Sequence, residues 1–176
     1  LIDFNNREID DSIATARALH DKVKGGLSVR VDTCGENVAQ GAFGNSSEVP
    51  ADHIIQQIKD QIPAEELKYW FGHGVCVSGV LALRSALDEA AFSGVKMVLS
   101  SGFANPEKVQ AFVRAEELLG IRLFDVLGAG ELYKPCRSAT MDIVAVADSP
   151  EELDENPMSK VGRVYKANPR LEEVFI

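Results

Sequence analysis

The sequence predicts an α/β fold built on a parallel sheet, and two adjacent segments carry that prediction. Residues 96–133 hold two strand-like runs, KMVLSSGF and RLFDVLGAGEL, each ending in small residues. Between them lies NPEKVQAFVRAEELLG, whose apolar residues recur at helical spacing. Strand, glycine turn, helix, strand, glycine turn is the repeating unit of a parallel α/β sheet. A further run upstream, LSVRVDT, follows another helix-spaced segment, so the alternation extends through the chain.

The elements follow in order. Residues 1–4 (LIDF) are apolar and read as the end of a buried strand, with Asn5-Asn6 as the turn after it. Residues 7–23 place Ile9, Ile13, Ala16 and Leu19 at helical spacing, and Gly25-Gly26 stop that helix. Residues 27–33 (LSVRVDT) predict a strand with β-branched residues, ending in polar DTCGEN. Residues 35–50 are rich in Gly, Asn and Ser and predict an irregular loop, long enough to be functional or mobile. Residues 51–62 show helical spacing at Ile54, Ile55 and Ile58, and 63–71 predict another short helix. Ser78 is placed to cap a helix over 79–91. Residues 96–101 are a strand. Asn105-Pro106-Glu107 opens the next helix, with a cap residue followed by proline at its first position. Residues 123–127 and 140–147 predict strands, 149–160 an acidic loop, and 163–165 an edge strand.

This order reads as a parallel sheet with alternating helices over residues 1–148, followed at 149–176 by an acidic loop and a tail or edge strand. Four parallel strands do not close a barrel, which takes about eight. The order therefore fits either a small open sheet or part of a barrel whose remaining strands lie upstream. The strand-like start at Leu1, with neither Met nor leader, leads us to expect such an upstream portion.

Composition narrows the function. At 176 residues, 45% hydrophobic and 26% charged, the chain has enough material for one domain with a real core. No apolar run approaches the roughly 20 residues of a membrane helix. A net charge of −9 argues against broad binding of nucleic acid or anionic membrane, both of which call for a basic face. It leaves room for a locally positive phosphate pocket. Cys34, Cys76 and Cys136 are scattered, odd in number and lack CxxC spacing, which favours reduced thiols in the cytoplasm over a metal site or a disulfide. No metal-ligand cluster stands out.

The chemistry is expected at the strand ends. In a parallel α/β fold all carboxyl ends face one side, where exposed backbone N–H groups of glycine turns converge on phosphate. Those ends carry Asp3, then Arg30 with Asp32-Thr33, then Ser100-Ser101-Gly102, then Asp125 with Gly128-Ala129-Gly130. A dinucleotide fingerprint is absent, because Tyr133 stands where its third glycine belongs. Two consecutive turns at neighbouring strand ends fit a monophosphate, or equally are glycines selected for backbone geometry. Arg30 and Asp32 alternate with Val29 and Val31 and so share a face. They are either a buried salt bridge or a binding pair, Arg30 for an anionic group and Asp32 for a hydroxyl, cation or ring nitrogen. Asp125 is compatible with either face. Of the histidines, His20 lies late on a helix, His53 begins one, and His73 sits between two glycines. No catalytic triad can be assembled from them.

Four segments together resemble the carboxyl-terminal half of the nicotinate phosphoribosyltransferases. They are LIDFNNREIDDSIATARAL, VRVDT, ALRSALDEAAFSGVKMVLSSGFANPEKVQAF and FDVLGAGELY. The resemblance spans residues 1 to about 146. Its most specific parts are R-x-D-T at residues 30–33, SSGF with N-P-E-K, and F-D-x-x-G-x-G, while ATMDIVAVA matches the family's T-A-D-I-V run in part. It implies an irregular, TIM-like α/β barrel of the type II phosphoribosyltransferases, here partial, working as a homodimer. It implies that nicotinate and phosphoribosyl pyrophosphate are joined to give nicotinate mononucleotide and pyrophosphate, with magnesium (Mg2+) and ATP as cofactors.

By the same resemblance, Ser101, Gly102, Gly128, Ala129 and Gly130 hold the 5′-phosphate. Arg30, Asp32 and Thr33 lie near the ring and ribose, with Asp32 the catalytic candidate. The family's phosphorylatable histidine and further basic residues belong to an amino-terminal half not matched here, so His73 is not assigned that role. The alternative reading is a non-catalytic phosphate-binding fragment or subunit that needs a partner chain.

Overall fold

A computed structural model describes residues 1–130, 143, 146, 149, 158 and 160–163. Its strands are β1 (Ser28–Val31), β2 (Lys96–Leu99) and β3 (Val126–Leu127). They form one sheet in the order β1-β2-β3, with both pairings parallel. Val31 lies opposite Leu99, and Leu99 opposite Leu127, so the three carboxyl ends are level. Ile2 N–H donates to the Arg30 carbonyl at 3.2 Å, which lays the chain's first residues beside β1 on the side away from β2.

The helices are α1 (Glu8–Leu19), α2 (Ile54–Gln57), α3 (Leu67–Trp70), α4 (Val77–Glu89) and α5 (Pro106–Leu119). Alternation along the strands decides where they pack. Val29, Val31, Met97 and Leu99 are buried, and they join Ala16 of α1, Val80, Leu83 and Leu87 of α4, and Phe112 and Ala115 of α5 in one core. Ser28, Arg30 and Lys96 alternate with them and are exposed, as is Val126. Among the described residues the helices therefore cover one face and leave the other bare. The strand order is sequential, and a single helical layer covers the sheet among the described residues. A doubly wound sheet reverses its order and is covered on both faces. Three strands close nothing, and no barrel is present among the described residues; the alternating parallel α/β arrangement is what the structure bears out.

The local chemistry of α5 holds as read. Asn105 Oδ1 accepts from Glu107 N–H at 2.9 Å, Pro106 stands in the first turn, and Gly120 ends the helix in left-handed backbone. Several boundaries differ from expectation. The helix expected over 51–62 shrinks to α2 and a 3-10 turn at Lys59–Gln61, because Ile58 leaves helical backbone at φ −108°. Ser78 does not cap α4. The helix starts two residues earlier than expected, at Val77, and the Ser78 hydroxyl instead accepts from Phe43 N–H at 3.2 Å. The strand expected over 123–127 is only two residues long. Asp125 replaces part of its ladder, with N–H donating to the Met97 carbonyl and Oδ2 accepting from Met97 N–H, both at 2.8 Å. The strand at 140–147, the edge strand at 163–165, the loop at 149–160 and Cys136 fall largely or wholly outside the described residues.

The irregular stretch after β1 is pinned rather than loose. Gly74 N–H donates to the Asn37 carbonyl at 2.7 Å and Gly72 N–H to the Phe43 carbonyl at 2.9 Å, so the Gly-His-Gly turn and this loop form one unit. Gln40 Oε1 accepts from Ile9 and Asp10 N–H groups, doing for α1 what its N-cap Arg7 does not. The buried Glu8 carboxylate accepts from Gln40 N–H at 2.9 Å and from the Thr33 hydroxyl at 2.7 Å. That carboxylate ties α1, the end of β1 and the loop together.

Candidate phosphate site at the strand ends

The two glycine turns lie side by side. Gly128 N–H donates to the Leu99 carbonyl at 2.7 Å, and a Cβ on Gly128 would stand 3.3 Å from that of Ser100. Glycine at 128 is thus what lets the second turn press against the first. Ser101 (φ 74°) and Gly102 (φ 80°) both take left-handed backbone and are exposed. A serine in that region is uncommon and marks a constrained position. The N–H groups of Ser101, Gly102 and Phe103 donate to no acceptor among the described residues. Ala129 and Gly130 follow at the end of β3, also exposed. Two exposed pairs of small or left-handed positions, Ser101-Gly102 and Ala129-Gly130, on abutting turns give a surface that an anion can approach without meeting large side chains.

The neighbouring strand end carries charge. Arg30 and Asp32 share a face, as their alternation requires, and pair at 3.2 Å. The pair is not the buried bridge weighed from the sequence: the Arg30 side chain is 52% exposed and that of Asp32 27%. Beside it stands a contact that spacing could not show. The Lys160 ammonium lies 2.5 Å from Asp3 Oδ2, donates to the Asp32 carbonyl at 2.9 Å and sits 3.7 Å from Asp32 Oδ2. Val161 holds this segment down, its N–H donating to the Phe4 carbonyl and its carbonyl accepting from Asn37 Nδ2. Asp3 is fully buried, and its Oδ1 has no partner among the described residues. Two cations and two carboxylates thus meet at the end of β1, next to Ser100, whose hydroxyl bonds the Val31 carbonyl at 3.2 Å.

Another basic residue escaped the sequence reading. Lys108, on the first turn of α5, folds back so that its ammonium donates to the Ser101 carbonyl at 2.9 Å and lies 4.6 Å from the centre of the Phe103 ring. Burial lowers its pKa, with the Cys76 thiol acting in the opposite direction. Its place in N-P-E-K reads as a surface lysine of an amphipathic helix, so only the fold reveals where the ammonium goes. A second network anchors the same helix end. The Tyr69 hydroxyl, and after it Lys68, lower the Glu107 carboxyl below its usual range, and Asn105 Nδ2 donates to that hydroxyl at 3.0 Å.

Other expected residues lie elsewhere. Thr33 is buried and gives its hydroxyl to Glu8, so among the described contacts it faces the helical layer. His53 caps α2, its Nδ1 accepting from Ile55 N–H at 3.2 Å. His20 packs on Phe92, and His73 is exposed between Gly72 and Gly74. Cys34 and Cys76 are free and buried. Asp125 belongs to the opposite end of the sheet, where it pairs with Arg122 and lines a cavity of about 340 Å³ together with Arg84 and Lys96. No group of three or more metal-ligating side chains occurs among the described residues, and no helix there is long and apolar enough to cross a membrane. No protein-family model, curated protein or solved structure matches the chain.

Proposed function

We propose that the chain is part of an α/β-barrel enzyme that binds a sugar phosphate at the carboxyl ends of its strands. The particular enzyme we infer is a nicotinate phosphoribosyltransferase, joining nicotinate to phosphoribosyl pyrophosphate with release of pyrophosphate. One observation carries the reading: two exposed glycine turns abut at neighbouring strand ends, Gly128 against Ser100, with Arg30, Asp32 and Asp3 at the next end. The ordered motifs of the resemblance fall on these same elements. Sequential parallel strands under a single helical layer are what a barrel segment would look like.

In this reading the N–H groups of Ser101 to Phe103 and of Ala129 and Gly130 hold the 5′-phosphate, while that of Gly128, bonded to the Leu99 carbonyl, sets the second turn against the first. The ring nitrogen of nicotinate forms the new bond to the anomeric carbon as the bond to pyrophosphate breaks. Positive charge grows on the ribosyl centre, and Asp32, with Asp3 behind it, is placed to stabilise it. Arg30 takes the carboxylate of nicotinate. Magnesium is held by one or two carboxylates together with substrate phosphates. Asp3, whose Oδ1 has no partner among the described residues, and Asp32 are the residues that would hold it, and there it would offset charge on the departing pyrophosphate. ATP coupling and the homodimer rest on the resemblance alone.

Formation of nicotinate mononucleotide by the full-length protein tests the proposal. Arg30→Ala and Asp32→Ala should each reduce turnover by about a hundredfold or more, the scale of losing a charge-stabilising group. Turnover near that of the wild type in both variants would sink the assignment.

A further inference from the structure

The ammonium of Lys108 is partly buried and faces a carbonyl, and among the described residues it has no carboxylate partner. That is an unusual place for a lysine. A cation withdrawn from water is ordinarily matched by an anion. The carboxylate nearest in sequence, Glu107, is turned away and bound to Tyr69 and Lys68. The described contacts use one of the three ammonium donors, on the Ser101 carbonyl. The ammonium lies 3.6 Å from the point where a Cβ of Gly102 would stand. It is therefore at the turn itself, next to N–H groups that lack acceptors among the described residues.

We propose that Lys108 is the counter-cation of the phosphate site at the Ser101-Gly102 turn. It holds the Ser101 carbonyl back, keeping Ser101 and Gly102 in their left-handed backbone, and offers its remaining donors to the bound phosphate dianion. The inference rests on the proposed phosphate role of this turn and adds a side-chain cation to it.

The charge on Lys108 makes the site pH-dependent. Burial lowers its pKa from the ordinary 10.5. The groups around it are the Cys76 thiol at the start of α4, and on its own helix Glu107, which is held by Tyr69 and Lys68 of α3. Phosphate stays a dianion through mildly alkaline pH, so loss of affinity there would report the lysine.

The test is calorimetric titration of the full chain with inorganic phosphate, from neutral pH up to about 10.5. Wild-type affinity should fall with a midpoint below the ordinary lysine value. Lys108→Arg, whose guanidinium stays charged, should bind at neutral pH and lose that fall. Lys108→Met should bind roughly tenfold more weakly at neutral pH. If wild type binds phosphate and a folded Lys108→Met binds it equally well, the lysine assignment is overturned while the turn stands. If wild type binds none, both fall. If Lys108→Met does not fold, the wild-type and Lys108→Arg profiles decide: identical falls in both would overturn the assignment.

Discussion

The two ends of the sheet are built from similar residues and use them differently. At the amino end, polar groups are committed to the fold. The two terminal nitrogens of Arg84 bond the Val95 and Phe92 carbonyls and Asp88, leaving its Nε over, and Asp125 bonds Met97 and Arg122. At the carboxyl end, backbone donors at residues 101–103 lack acceptors among the described residues, Ser101 is held in left-handed backbone, and a buried oxygen of Asp3 has no partner there. Native folds satisfy their buried polar groups, and where they do not, function is the usual reason. A cavity of about 340 Å³ lies at the amino end, away from the more available chemistry. Chemistry is the better guide here, because at the amino end Arg84 pairs with Asp88 and Arg122 with Asp125.

Substitutions at the two ends should therefore fail in different ways. Arg84→Ala should have the largest effect on stability, about 3 kcal/mol by denaturant unfolding, by stripping charged hydrogen bonds from two carbonyls. Phosphate affinity measured on the folded fraction should not change. A matching loss of affinity would break the distinction between the ends. Thr33→Val should cost about 1–3 kcal/mol, because the buried Glu8 carboxylate loses a donor. The Michaelis constants should stay put; a rise in them without a loss of stability would return Thr33 to the substrate site. Asn105→Ala removes the cap of α5 and should cost about 1 kcal/mol in thermal unfolding.

The smallest effect concerns pH. The lowered Glu107 carboxyl contributes stability that is present above its unfolded-state pKa and lost as pH falls through the folded one. Because this group is fully exposed, Tyr69→Phe should barely alter the acid limb of the melting curve. A large shift would mean that the network at the start of α5 is stronger than a surface one.

Much of this arrangement was legible in sequence because it is local. Alternation put Arg30 and Asp32 on one face, Asn105-Pro106 and Gly120 bounded α5, and the two glycine turns ended strands that prove to be neighbours. What escaped depends on contacts between distant residues. Lys160 meets Asp32 across 128 positions, which no spacing encodes. Ser78 was diverted from capping by Phe43, 35 residues away. Thr33 lies at the strand end the motif marks, yet the next step of alternation turns its hydroxyl inward to Glu8. Lys108 has the polar position of a surface residue, and only the backbone of the preceding turn draws its ammonium back.

The central claim, that the carboxyl-end turns bind phosphate, is tested most directly by following backbone amide resonances while inorganic phosphate is added. The account predicts saturable shifts for Ser101, Gly102 and Phe103, with Ala129 and Gly130 moving in step, and none for Arg84, Arg122 or Asp125. Shifts confined to the amino-end cavity, or none at all, would contradict it.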